Sequence, residues 1–67
     1  MNDFADRLKE LRESKGLSIN QLAKQLGIGP GTLHRWENRT RVPNIESLVL
    51  LAKYFGVSAD YLLGLED

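Results

Sequence analysis

The sequence predicts an all-α fold, five short helices making one compact domain over residues 1–67. Three observations point to it. Apolar residues recur at the three- and four-residue spacing of one helical face. Residues that cap helices, or proline suited to a first turn, stand before the later periodic runs, and a glycine closes most of them. No stretch alternates apolar and polar residues as a half-buried strand does.

The elements follow in order. Phe4, Leu8 and Leu11 share a face and predict a helix over residues 3–15, with Arg7, Lys9, Glu10 and Glu13 on its surface and Gly16 at its end. Ser18 with Gln21 forms a capping box, and Leu17 with Leu22 a hydrophobic staple, so a second helix spans residues 19–26 and stops at Gly27. Gly29 as N-cap and Pro30 at the first helical position, where a missing N–H costs nothing, start a third over residues 30–37. Leu33 and Trp36 fall on its inner side, and Gly31, His34, Arg35 and Asn38 on its outer side. Asn44 caps a fourth helix, residues 45–55, whose Leu48, Leu51, Ala52 and Phe55 keep helical spacing up to Gly56. Ser58, with the staple pair Val57 and Leu62, starts a fifth over residues 59–63, closed by Gly64.

Composition narrows the function classes. A chain of 67 residues is too short for a second core. It contains no cysteine, which removes disulfides, cysteine-based zinc sites and thiol nucleophiles and fits a reducing cytosol. The longest apolar run, Leu48–Ala52, is far below the roughly 20 residues that cross a bilayer, and the acidic start lacks a signal-peptide pattern. A soluble, cytoplasmic protein is expected. Its formal net charge is zero, but the charges are segregated. Lys15, Lys24, Arg35, Arg39 and Arg41 face a single acid, Glu37, in the middle of the chain, and both ends are acidic. A basic middle suits a phosphate-facing surface, and scattered solvated charge suits it equally.

The second and third helices have the form of a helix-turn-helix. That unit needs a small residue at the helix crossing, a residue tolerant of positive φ in the turn, and apolar side chains filling the angle. Ala23, Gly27, and Leu22, Leu26, Ile28, Leu33 and Trp36 supply them. With these residues, the chain resembles the helix-turn-helix family of phage Cro proteins and repressors, the lambda-repressor-like fold. The likeness runs from Phe4 to Gly64, through Arg7-Leu8, Leu11-Arg12, Gly16-Leu17-Ser18, Gln21-Leu22-Ala23, Leu26-Gly27-Ile28, Thr32-Leu33, Arg35-Trp36-Glu37-Asn38 and Asp60-Tyr61-Leu62-Leu63-Gly64.

The resemblance implies a transcriptional regulator, a repressor of phage or bacterial type, that binds double-stranded DNA with residues 30–37 in the major groove. It also implies a homodimer on a near-palindromic operator. Base contacts would come from Arg35 first, whose fork can donate twice to guanine O6 and N7, with Pro30, Gly31, Thr32 and His34 beside it. Phosphates would be held by the backbone at Ile19 and Asn20 and by Lys24, Asn38, Thr40 and Arg41. Arg12 and Glu37 would form a structural ion pair. Arg39 stands where the family prefers glycine, so either Asn38 turns left-handed or Arg39 is strained. Where the family often has polar residues this chain has Ile19, Pro30 and Gly31, so direct readout would be sparse and DNA shape more important.

An enzyme is not expected. One histidine, no cysteine, and a glycine cluster at Gly27, Gly29 and Gly31 that follows no strand imply no catalytic set, metal, cofactor or small-molecule ligand. The alternative is a protein-interaction module such as an antitoxin with secondary DNA binding. Its support is the apolar C-terminus, where Tyr61, Leu62, Leu63 and Leu65, with Leu50 and Tyr54, are candidates for a dimer contact.

Overall fold

The computed structural model describes residues 3–66. Its helices are α1 (Phe4–Ser14), α2 (Ile19–Leu26), α3 (Pro30–Glu37), α4 (Ile45–Phe55) and α5 (Ala59–Leu62). The first and last are slightly shorter than the periodicity suggests. Asp3 and Lys15 are caps of α1, and Leu63 is the C-cap of α5. No helix among the described residues is long and apolar enough to cross a membrane.

Four helices begin on a side chain that accepts a first-turn N–H: Asp3, Ser18, Asn44 and Ser58. Ser18 and Gln21 complete a capping box, with Ser18 N–H donating to Gln21 Oε1 at 2.8 Å and Gln21 N–H to Ser18 Oγ at 3.1 Å. At the start of α3, Gly29 offers no side chain, and Pro30 in the first turn removes one donor instead.

All five helices end alike. The N–H groups of Leu17, Ile28, Thr40, Val57 and Leu65 reach back five residues to the carbonyls of Arg12, Ala23, Arg35, Ala52 and Asp60, at 2.9–3.2 Å. This closure needs a left-handed residue just before the donor. At four ends that residue is glycine, but after α3 it is Arg39, at φ +68°. Asn38 keeps φ −95°, so the arginine takes the strained position, at a cost of about 1–2 kcal/mol.

The core is built from one leucine of each helix. Leu8, Leu22, Leu33, Leu51 and Leu62 are each 0% exposed and meet in one cluster with Ala23, Leu26 and Trp36. Burying such a side chain contributes about 1.5–3 kcal/mol. Helix α3 packs against α2 and α1, and α5 against α1 and α4. Trp36 is buried and meets Phe4 edge to face at 6.4 Å between centroids, so it belongs to the core.

Two expectations are corrected here. Arg7 is buried, at 6% exposure, with its guanidinium 4.3 Å above the Tyr61 ring, a cation–π contact joining α1 to α5. Leu62 lies wholly inside and cannot serve a dimer contact. Within the α5 region the outward apolar residues are Leu63 and Leu65, while Tyr61 is half-buried.

Candidate nucleic-acid interface

The candidate interface is organised around the outer face of α3. Pro30, Gly31, His34 and Arg35 are exposed there and Thr32 is half-buried, while Leu33 and Trp36 anchor the opposite face. Arg35 folds back over the first turn of its own helix. A Cβ added at Gly31 would lie 3.4 Å from Arg35 Nη1, so the glycine leaves the guanidinium room to lie near the helix start. Gly31→Ala is expected to stabilise the domain by about 0.5–1 kcal/mol in urea denaturation. The neighbour it meets is the mobile end of a long side chain and can yield.

Behind α3, a buried ion pair ties its last turn to α1. Arg12 Nε donates to Glu37 Oε2 at 2.7 Å and Nη2 to Oε1 at 2.9 Å, and Nη1 donates to the Leu17 carbonyl at 2.8 Å. The side chains are 11% and 6% exposed. Donating to the Glu37 carboxylate raises the Arg12 pKa above its already high usual value. Three segments, α1, the loop before α2, and α3, therefore meet on one guanidinium.

The loop after α3 is shaped by its own polar groups. Asn38 Oδ1 accepts from Thr40 N–H at 3.1 Å and from Thr40 Oγ1 at 2.6 Å. The N–H groups of Thr40 and Arg41 donate to the Arg35 carbonyl at 3.0 and 3.3 Å. Asn38, Thr40 and Arg41 are all exposed on this loop. At the start of α2, the capping box occupies the N–H groups of Ser18 and Gln21, and those of Ile19 and Asn20 lie in the turn where a helix supplies no acceptor of its own. Lys24 is exposed further along α2.

The basic middle of the chain divides in space. Lys15 Nζ lies 5.3 Å from the centre of the Tyr54 ring. Arg39 turns to the start of α1, where Nε donates to Asp3 Oδ2 at 2.8 Å and Nη2 to Asp3 Oδ1 at 3.0 Å and Asp6 Oδ1 at 2.7 Å. The Asp3 carboxyl is held below the usual carboxylate range, chiefly by Arg39 and then by the Asp6 N–H. A carboxyl lowered in this way keeps its partner at ordinary pH and releases it only as pH falls through the lowered value. Lys15, Lys24, Arg35 and Arg41 are then the exposed cations of this segment without an acidic partner among the described residues. The Arg39 linkage was not readable from the sequence, since its partners stand 33 and 36 residues away.

This arrangement matches a known family. The helix-turn-helix family model covers residues 8–62, nearly the whole chain. The chain belongs to the helix-turn-helix family. This helix-turn-helix chain is 38% identical over 64 residues to an uncharacterized HTH-type transcriptional regulator, YobD of Bacillus subtilis (strain 168), a match covering 96% of the chain and 57% of YobD. It is also 38% identical over 65 residues to the HTH-type transcriptional activator BcrR of Enterococcus faecalis, covering 97% of the chain and 32% of BcrR. The chain thus spans between a third and just over half the length of these curated relatives. Among solved structures, the P22 c2 repressor in complex with a synthetic operator superposes with a TM-score of 0.88 at 27% identity, covering 98% of this chain and all of that one. The resemblance to phage repressors read from the sequence, and the all-α fold it implies, hold over the whole helix-turn-helix domain.

Proposed function

We propose that the chain is the DNA-reading domain of a transcriptional regulator and binds double-stranded DNA sequence-specifically, with α3 in the major groove. One observation carries this reading. The outer face of α3 presents Arg35 over its first turn, on a helix fixed from behind by the Arg12–Glu37 pair. A rigid helix with a bidentate donor near its start is what base readout requires. Pro30, Gly31, Thr32 and His34 flank Arg35 and would meet the same base edges.

Phosphates would be met by the N–H groups of Ile19 and Asn20, by Lys24 and Arg41, by the Asn38 amide N–H groups, and by the Thr40 hydroxyl once its proton turns from Asn38 Oδ1, to which it donates in the free chain. Similar proteins carry the names of both an activator and a repressor. What they share with this chain is the domain, and we assign it the repressor role through occupancy of an operator in the bacterial cytoplasm.

Self-association would set a two-fold operator. Val42 and Leu65 are 80% and 73% exposed, and Val42 and Leu63 line one groove of about 340 Å³ with Phe4 and Trp36. Apolar surface of this kind suits a second copy of the chain, with half-sites roughly 10 bp apart.

The test is selection from a pool of randomised duplexes at near-physiological salt, for the chain and for Arg35→Ala. The expected product is a two-fold symmetric motif that loses definition at one base pair per half-site in the variant, worth about 1–3 kcal/mol of discrimination. Unselective binding that vanishes as salt rises, with no motif, would overturn the reading in favour of a protein-docking scaffold.

A further inference from the structure

Arg39, in the α3–α4 loop, has a half-exposed side chain that is ion-paired within the chain. It follows Asn38 and precedes Thr40 and Arg41, all three of them proposed phosphate contacts, so a free guanidinium there would be a fourth. Two carboxylates of α1 hold it instead, through three hydrogen bonds of 2.7–3.0 Å. The same Asp3 carboxylate also caps α1, accepting from the Asp6 N–H at 3.1 Å, so its position is set independently of Arg39. The arginine in turn occupies a left-handed position that glycine fills at the other four helix ends. A side chain is thus tolerated where the backbone disfavours one, and that side chain is secured internally.

We propose that Asp3 and Asp6 are specificity-determining residues that withhold Arg39 from DNA phosphates and so limit sequence-independent binding. The inference rests on the DNA-reading function proposed above. A phosphate approaching Arg39 must displace carboxylates that are permanently at hand in the same chain, and it must do so beside both aspartates. A loosely docked complex gains from any arginine that can swing to a phosphate wherever the protein lands. The sequence-reading complex is fixed in register and gains less. Neutralising Arg39 therefore weakens off-site retention more than operator binding.

The experiment measures affinity for the selected duplex and for a random-sequence duplex over a salt series. It compares the chain with Arg39→Gly, with Asp3→Asn/Asp6→Asn, and with the combination of all three changes. Asparagine keeps the helix cap, and circular dichroism at each salt checks folding. In Arg39→Gly the slope of log affinity against log salt is expected to stay at its original value. In Asp3→Asn/Asp6→Asn the released arginine should steepen it by about 0.9 per protomer, the increment for one phosphate contact. Random-sequence affinity should rise several-fold, by a larger factor than for the selected duplex. Adding Arg39→Gly to the double variant should abolish the steepening, which separates a new contact from the mere removal of negative charge.

A slope that falls by about 0.9 in Arg39→Gly would show that Arg39 already binds phosphate and would overturn the proposal. So would a double variant whose slope and random-sequence affinity do not change, or steepening that persists without the arginine. If Arg39→Gly does not fold, the double variant alone decides between an unchanged and a steeper slope. Failure of the underlying DNA reading is recognised separately, as an unmodified chain that selects no motif.

Discussion

Glu37→Ala is expected to destabilise the domain by about 3–5 kcal/mol, measured by urea denaturation. The loss comes from what is left behind. Arg12 stays enclosed with its Nε and Nη2 donors unmatched, keeping only the Leu17 carbonyl at 2.8 Å. A small domain has little stability to spare, so the variant should be largely unfolded near physiological temperature. Replacing both partners by apolar residues, Arg12→Met with Glu37→Leu, removes the buried charge along with its partner and should recover most of the loss. A change below about 1 kcal/mol in Glu37→Ala would indicate that water reaches the pair and that it behaves as a surface contact.

The second large effect concerns the C-terminus. Leu62→Ala should cost about 2–5 kcal/mol, because it empties a site enclosed by the leucines of the four other helices. At roughly 4–8 °C per kcal/mol for a domain of this size, the melting temperature should fall by about 8–40 °C. Leu65→Ala, at a position 73% exposed, should stay within about 0.5 kcal/mol. The contrast is informative even though both are C-terminal leucines three residues apart. Equal effects would mean that the last turn packs differently from the arrangement described here.

These two cases also show where sequence reading works and where it stops. The helix limits were legible because local chemistry sets them. Ser18 with Gln21, Pro30, Asn44 and Ser58 mark starts, and glycines mark four ends. The outer face of α3 was legible for the same reason, since helical phase alone separates Leu33 and Trp36 from His34 and Arg35. The faces of α5 were not, because a four-residue helix makes barely one turn and gives periodicity nothing to average over. Arg7 illustrates a different limit. It has the phase of the core face, yet its charge suggests water, and its contact with the Tyr61 ring, which helps to bury it, depends on the folded arrangement of α1 against α5. The Arg39 linkage depends on the start of α1 and the end of α3 coming together, a property of the folded chain as a whole. The contacts assigned to Arg35, Lys24 and Arg41 rest on their exposure and position, and the Arg35→Ala selection is their direct test.

The meeting of one leucine from every helix at a common centre limits how such a domain can be re-engineered. The longest helices have 11 residues and α3 has eight, below the roughly 12–15 at which an isolated helix becomes even marginal in water. The reading helix therefore has no independent existence as a peptide, and cutting it out would discard the shape that makes it a reader. Its outward residues are another matter. Pro30, Gly31, His34 and Arg35 contribute little to the common centre. New sequence preferences can be sought by exchanging side chains on that face one at a time, while moving the segment as a block would require α1 and α2, which pack against it, to move with it.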